Sequence, residues 1–260
     1  MPSTVPAVSR LNIAPVKGLG LASRSELYLE RFGVAEDRRF YLVDPTGRLV
    51  DGLIAGPIVR VSAETDPEGH RLRMTLPDGQ VVEDDVHVTE PIETPMYGRT
   101  AIGHLVDGPW AAALEPLAGR PLRLVRVDRP GGTRSHHPAT LIGDGSLDRL
   151  ARHLGVPTVD PRRFRMLIEL GGVEPHEEDT WCGRRVSVGE AILRISKPVP
   201  RCAITTQDPE TGIRDLDTLR TIIAYRGLRD GKDIDFGVWG EVERPGTIRV
   251  GDAVDILDLT

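Results

Sequence analysis

Three turn signals divide the first ninety residues into short apolar segments. The signals are Asp44-Pro45-Thr46-Gly47, Asp66-Pro67-Glu68-Gly69 and Pro77-Asp78-Gly79. Each carries Pro or Asp early and Gly late, which is the composition of tight turns between paired strands. We therefore predict that this part of the chain folds into antiparallel hairpins and contains no internal repeat.

Helical periodicity is confined to a few places, namely residues 108–118, 146–154 and 216–226. We expect Ser146 to cap the second of these helices, and Gly155 followed by Pro157 to end it. Most of the remaining chain is predicted as short strands, including residues 164–170 and 203–206. Many short strands with few helices favour a β-barrel, so we predict a mainly β (α+β) fold with a domain boundary between Glu90 and Arg126.

Charge and hydropathy exclude several kinds of partner. The net charge of -6 and the pI of about 5.7 argue against nucleic acid, because binding by counterion release needs an excess of Lys and Arg. No apolar run reaches the roughly 18 residues of a membrane span, and residues 1–9 lack the features of a signal peptide. We predict a cytoplasmic protein with no membrane partner.

Cys202 lies in the segment Lys197-Pro198-Val199-Pro200-Arg201-Cys202, where a predicted strand ends. The two prolines stiffen the backbone there, and a neighbouring arginine favours the thiolate. A thiolate is the protein ligand that soft transition metals prefer. The other cysteine, Cys182, forms no C-x-x-C pair with it, so neither a zinc site nor a disulfide framework is expected.

Motifs along nearly the whole chain resemble those of the MOSC proteins, a family named after the C-terminal domain of molybdenum cofactor sulfurase. They are PVKG at 15–18, EDRRF at 36–40, DPTG at 44–47, FR at 164–165, EEDTW at 177–181, PRCAITTQDPETG at 200–212, FG at 236–237 and PGTIRVGD at 245–252. Within the family, the chain is most similar to stand-alone proteins with an N-terminal region and a barrel, such as the mitochondrial amidoxime reducing component and its bacterial relatives.

The resemblance implies a MOSC β-barrel over residues 126–260, preceded by a β-rich MOSC N-terminal domain over residues 1–125. It also implies a molybdenum cofactor of the molybdopterin type. Cys202 would be the metal ligand, and the implied cofactor-binding residues are Lys17, Gly18, Arg38, Arg165, Arg201 and Trp239. The residue types suit a pterin phosphate, because arginine matches phosphate oxygens with a planar fork of donors.

Two histidines are this chain's own candidates for catalysis. His136 and His137 precede Pro138, at a place where relatives carry small hydroxyl residues facing the cofactor. A histidine there can deliver a proton to an oxygen that leaves as water, and the alternative is an exposed surface loop. Residues 177–179 carry three carboxylates, which we interpret as a solvated turn before a core Trp181.

The resemblance implies an oxidoreductase that reduces N-hydroxylated or N-oxide small molecules. Its electrons would come from an external donor protein, because the sequence has no flavin motif and too few cysteines for an iron–sulfur cluster. Three departures from the family bear on the substrate more than on the cofactor, namely Leu167, Pro200 and Gly18 after Lys17. Two alternatives stay open: a sulfur carrier or sulfurtransferase with a persulfide on Cys202, and a non-catalytic carrier of the cofactor.

Overall fold

The computed structural model describes residues 5–133 and 137–257. Its strands are β1 (Ala7–Ile13), β2 (Ala22–Arg24), β3 (Glu26–Leu29), β4 (Phe40–Val43), β5 (Leu49–Val50), β6 (Ser62–Thr65), β7 (Arg71–Thr75), β8 (Val81–Asp85), β9 (His87–Met96), β10 (Arg99–Asp107), β11 (Arg123–Val127), β12 (Ala139–Gly143), β13 (Ile168–Gly171), β14 (Arg185–Val188), β15 (Ala191–Pro200), β16 (Asp235–Arg244), β17 (Gly246–Arg249) and β18 (Val254–Leu257).

Helices are few in the part of the chain that the structure describes. The α-helices are α1 (Trp110–Ala118), α2 (Asp144–Leu154) and α3 (Thr218–Arg226), and short 3-10 helices cover Gly56–Arg60, Pro161–Phe164, Glu177–Trp181 and Ala203–Thr206. The prediction of a mainly β fold with a few helices is confirmed. No helix over residues 5–133 and 137–257 is long and apolar enough to cross a membrane.

The largest sheet has eight strands in the order β18-β14-β15-β16-β12-β13-β1-β2. The first strand of the chain is thus built into a sheet made mostly of late strands, and β1 runs antiparallel to β13. The amide of Val8 donates to the carbonyl of Asp252 at 2.9 Å, which brings β1 beside the start of β18 and so draws distant parts of this sheet together. Leu11, Leu141 and Trp181 are among the fully buried side chains of its core.

A second sheet has five strands in the order β5-β4-β11-β10-β9. α1 lies against β11 of this sheet and also against β8. Its Trp110 has no exposed surface, and the indole donates to the carbonyl of Leu72 in β7 at 3.0 Å. The remaining strands form a three-stranded sheet, β6-β7-β8, and the pair β17-β3.

Strand pairing does not follow the predicted division of the chain at residues 125 and 126. β11 spans that point and pairs on both sides with early strands, β4 and β10. In the other direction, β1 and β3 pair with the late strands β13 and β17. The division into domains 1–125 and 126–260 stays a prediction, and early and late segments meet wherever these pairings occur.

The predicted strand at residues 203–206 is wrong, because this segment is the 3-10 helix Ala203–Thr206. Its threonines use their hydroxyls locally, and such side-chain bonds compete with strand pairing. Thr205 donates to the carbonyl of Cys202 at 3.2 Å, and Thr206 donates to that of Ala203 at 2.7 Å.

Two expectations about the region of α2 are also wrong. Ser146 does not cap the helix, which already begins at Asp144; its hydroxyl instead donates to the carboxylate of Glu178 at 2.7 Å. Glu178 has no exposed surface, so the segment 177–179 is not a solvated turn. Burial of Trp181, in contrast, is confirmed.

Candidate functional site

A pocket of about 360 Å³ brings together segments that are distant in the sequence. Its lining comes from residues 17–18, 37–38, 51–53, 97, 137–138, 140, 164–167, 199–202 and 204. Early and late segments both contribute, because β1 lies within the large sheet and carries the following residues to the pocket.

Most of the predicted site residues line this pocket, namely Lys17, Gly18, Arg38, His137, Arg165, Arg201 and Cys202. Trp239 is not part of the lining; its ring stacks on that of His137 at 4.7 Å between centroids. His136 lies outside the described residues. These seven predicted residues thus lie in one pocket, and Trp239 contacts it through His137.

The backbone is unusual at two of the arginines. Arg38 and Arg165 have φ values of 55° and 53°, in the left-handed region that side chains other than glycine rarely adopt. The amide of Arg38 donates to the carbonyl of Ala14 at 2.7 Å, which fixes the turn. Strained conformations of this kind concentrate at functional sites, where the surrounding structure holds them.

A network of hydrogen bonds fixes the Arg38 side chain. Its Nη1 pairs with the Asp37 carboxylate, and its Nη2 donates to the carbonyl of Arg165 at 3.2 Å. Asp37 is 2% exposed and also accepts a hydrogen bond from the amide of Ala14 at 2.8 Å. Asp37 therefore orients Arg38 and neutralises one charge.

The other two arginines are bonded to carbonyl groups, which carry no net charge. Arg165 donates through Nη2 to the carbonyl of Leu19 at 2.7 Å, and Arg201 donates to that of Phe164. Arg201 Nε is buried and has no hydrogen-bond partner among the described residues. Burial is the main cause that lowers the pKa of each of these two guanidinium groups to about 10. Among the described residues, neither of these two partly buried positive charges forms an ion pair with a carboxylate, although removing an unpaired charge from water is costly.

Lys17 adds a fourth cation. Its ammonium donates a weak hydrogen bond to the carbonyl of Thr133 at 3.4 Å and lies 5.3 Å from the centre of the Tyr97 ring. Burial, and next the charge of Arg38, lowers its pKa to about 8. At neutral pH the ammonium form still predominates.

The pocket therefore has an excess of positive charge. Four cationic side chains line it against two carboxylates, Asp37 and Asp51, which leaves a surplus of two. A dianionic phosphate ester would balance that surplus and supply acceptors to buried donors such as Arg201 Nε. The lining thus fits the anionic end of a pterin phosphate.

Cys202 presents its thiol at the same pocket. It follows β15 and precedes the 3-10 helix Ala203–Thr206, and it is exposed, whereas Cys182 is half-buried with a pKa raised by burial. The described residues contain no group of three or more His, Cys, Asp or Glu side chains that could hold a metal ion by themselves. A metal at Cys202 would need further ligands from a bound molecule, as a pterin dithiolene provides.

Gly18 has a backbone role. Its φ is 95°, and a Cβ there would lie 3.1 Å from the Cα of Asp51 and 3.2 Å from the amide nitrogen of Gly52. Only glycine fits this conformation and this close approach without strain. Gly18 thus allows the Lys17 loop to pack against the Asp51 loop.

Several residues of the lining were not among the predicted site residues, and Tyr97 and Asp51 are two of them. The Tyr97 hydroxyl donates to the Asp51 carboxylate, and burial and this contact raise the pKa of Tyr97. Tyr97-Gly98 forms the two-residue turn between β9 and β10, and a glycine at the second position was a usable signal for such a turn. Nothing in the local sequence marks Asp51 as a pocket residue.

Two family models match the chain. The model described as MOSC domain matches residues 126–255, and the model described as MOSC N-terminal beta barrel domain matches residues 5–101. The two matches leave only short stretches of the chain uncovered.

Several known proteins are similar to the chain. Mitochondrial amidoxime-reducing component 1 of Mus musculus is 27% identical over 97% of this chain and 83% of its own length. Mitochondrial amidoxime reducing component 2 of Rattus norvegicus is 36% identical over 45% of this chain and 36% of its own length. Molybdenum cofactor sulfurase of Caenorhabditis elegans is 25% identical over 90% of this chain, which spans only 33% of that protein. Among solved structures, the YuaD protein from Bacillus subtilis matches with a TM-score of 0.49 and 13% identity, covering 97% of this chain and 96% of its own.

Proposed function

The chain belongs to the MOSC family, and on that premise we propose that it binds a molybdenum cofactor of the molybdopterin type and reduces N-hydroxylated or N-oxide small molecules. The observation that carries the proposal is the joint presence, in one pocket, of an exposed Cys202 thiol and a surplus of partly buried cations. Thiol and cations suit the two ends of such a cofactor.

Cys202 would bind the metal through its thiolate. Lys17, Arg38, Arg165 and Arg201 would hold the phosphate, each through a charge-assisted hydrogen bond. Gly18 keeps the backbone of this region closely packed. Trp239 would act indirectly, by stacking on the His137 ring and fixing its plane.

When bound, the cofactor supplies two-electron exchange with the oxygen of an N–O group. Reduction of a hydroxylamine-type substrate takes two electrons and two protons and gives the N–H product and water. The chain's own part is to hold the substrate in the pocket and to supply a proton, and His137 is the lining residue suited to that task at neutral pH. His136 remains a second candidate by sequence position. The electrons would come from an external donor protein.

A sulfur carrier or sulfurtransferase is the second candidate, because an exposed Cys202 can carry a persulfide and a molybdenum cofactor sulfurase is among the relatives. A non-catalytic cofactor carrier is the third. We further propose a cytoplasmic location, which two free cysteines suit.

The test is expression in a host that makes the cofactor, followed by quantification of molybdenum and pterin per chain and assay of N-hydroxylated substrates with an artificial electron donor. We expect near-stoichiometric molybdenum and turnover in the wild type and in Cys182→Ala, and loss of turnover in Cys202→Ala. A metal-free protein carrying a persulfide on Cys202 would favour the sulfur carrier. Full loading without turnover would favour the cofactor carrier.

A further inference from the structure

The tip of the hairpin formed by β9 and β10 reaches the pocket. The strands are joined by Tyr97 and Gly98, whose φ values of 50° and 83° are both left-handed. This is the geometry of a tight two-residue hairpin turn, in which asparagine, aspartate or glycine is usual at the first position. A tyrosine there is strained, and the strain needs a compensating interaction.

Two side-chain contacts of Tyr97 are directed toward the pocket. Its hydroxyl donates to Asp51 and its ring lies against the Lys17 ammonium, while 62% of the residue is exposed. Asp51 is itself anchored, since its other carboxylate oxygen accepts from the amide of Leu53 at 3.0 Å. Because this tip is so exposed, it adds little to the hydrophobic core. We therefore attribute the geometry of the turn to its contacts at the pocket.

The Lys17 ammonium is repelled by neighbouring arginines, and Tyr97 and Asp51 offset part of this repulsion. This ammonium is close enough to Arg38, Arg165 and Arg99 to be repelled by each, while Asp51 attracts it. The ring of a tyrosine attracts a cation through its negative face, most strongly where water is excluded. Ring and carboxylate together can keep Lys17 beside the arginines before any anion has bound.

We propose that Tyr97, fixed by Asp51, is a positioning residue that covers the Lys17 ammonium and preorganises it, together with Arg38 and Arg165, for a phosphate monoester. The inference rests on the proposed function for the identity of the natural ligand, because the phosphate would belong to the cofactor. Its physical content is independent of the metal: a screened ammonium whose place is already set binds an anion more tightly than one that is free to move.

The lysine content of the chain makes this testable on the cofactor-free protein. There are three lysines, Lys17, Lys197 and Lys232, and the last two are exposed. Full-length protein labelled with ¹³C at the lysine ε-carbon therefore gives three resonances, assigned by single Lys→Arg substitutions. The titration midpoint of Lys17 is expected near pH 8 in the wild type.

Tyr97→Gly removes the ring and suits the left-handed turn. The ammonium then loses the attraction of the ring while the neighbouring arginines still repel it, so the Lys17 midpoint should fall by about half a pH unit, while the Lys197 and Lys232 resonances stay unchanged. Tyr97→Phe keeps the ring and loses only the bond to Asp51, so a smaller fall is expected. Tyr28→Ala, at an exposed tyrosine of β3, is the matched control and should leave all three midpoints unchanged. A Lys17 midpoint that is the same in Tyr97→Gly and wild type would overturn the proposal.

Inorganic phosphate provides the second readout. Titrated at pH 7 into the same labelled protein, it should shift the Lys17 resonance to saturation, and Tyr97→Gly should weaken its binding by about tenfold. Equal phosphate affinity in Tyr97→Gly and wild type would refute the positioning role. These outcomes do not depend on molybdenum. If the protein fails to bind the metal but shows both effects, only the proposed redox function is refuted.

Discussion

Replacement of Arg165 by alanine should weaken cofactor retention more than it weakens the fold. The guanidinium is partly buried at the pocket wall, donates to the carbonyl of Leu19 at 2.7 Å and forms no ion pair with a carboxylate of residues 5–133 or 137–257. Removing one charge-assisted hydrogen bond to a buried phosphate costs about 1.5–3 kcal/mol. That corresponds to roughly 10- to 150-fold in the dissociation constant.

The cofactor-free protein should respond differently. Arg165→Ala removes a buried cation that repels Arg38, which offsets part of the loss of the bond to Leu19. Its free energy of unfolding should therefore fall by less than about 1.5 kcal/mol, the usual upper value for one hydrogen bond. The left-handed φ at this position is equally unfavourable for arginine and alanine, so backbone strain does not contribute to the difference in unfolding free energy between the wild type and the variant.

The assay is pterin content per chain after extensive dialysis, set beside urea unfolding of the cofactor-free form. Arg162→Ala is the matched control, since Arg162 is also an arginine of this segment but pairs with Asp160 and Glu210 and does not line the main pocket. It should retain the cofactor as the wild type does. Equal pterin retention in Arg165→Ala and Arg162→Ala would refute the assignment of Arg165 to the anion.

Other variants test the remaining parts of the site and the fold. His137→Ala should abolish the alkaline fall in the rate of N-hydroxy substrate reduction at unchanged pterin content, and His136→Ala tests the second candidate; profiles identical to that of the wild type would exclude both as proton donors. Burial lowers the pKa of His176 from 6.5 to about 4. Between these values the unfolded chain binds a proton that the folded protein does not bind, so the free energy of unfolding should decline as the pH falls from 6.5 to about 4. Urea unfolding of His176→Asn should show a shallower decline, and an equal slope would contradict this. Burial raises the pKa of Glu178, whose carboxylate accepts a hydrogen bond from Ser146. Glu178→Ala should lower the unfolding free energy by about 1–3 kcal/mol, and Glu178→Gln, which keeps a hydrogen-bond acceptor, by clearly less; equal losses would show that these hydrogen bonds have no part in the effect.

Local sequence predicted the fold class well because turn chemistry is a local property. Pro, Asp and Gly set backbone angles within a few residues, and the hairpin of β7 and β8 turns at Pro77-Asp78-Gly79 as expected. In contrast, the pairing of β1 with β13 joins residues more than 150 positions apart, which no local pattern encodes. The long hairpin of β9 and β10 also escaped prediction.

The errors near the site have a common physical cause, the use of polar side chains in non-local or competing bonds. Ser146 looks like a helix cap by position, yet its hydroxyl serves Glu178, 32 residues away. Glu178 looks solvated by composition, yet tertiary burial overrides that expectation. Among site residues, motif resemblance gathered Lys17 and Cys202 into one pocket, whereas Asp51 and Tyr97 became visible only once their loops met.

Molybdenum K-edge X-ray absorption on the loaded protein tests the central claim most directly, because it counts the sulfur atoms bound to the metal. If Cys202 is the ligand, the wild type and Cys182→Ala should show three sulfur neighbours, two from the pterin dithiolene and one from the protein, and Cys202→Ser should show two. Three sulfur neighbours retained in Cys202→Ser, or a loss that follows Cys182 instead, would contradict the account.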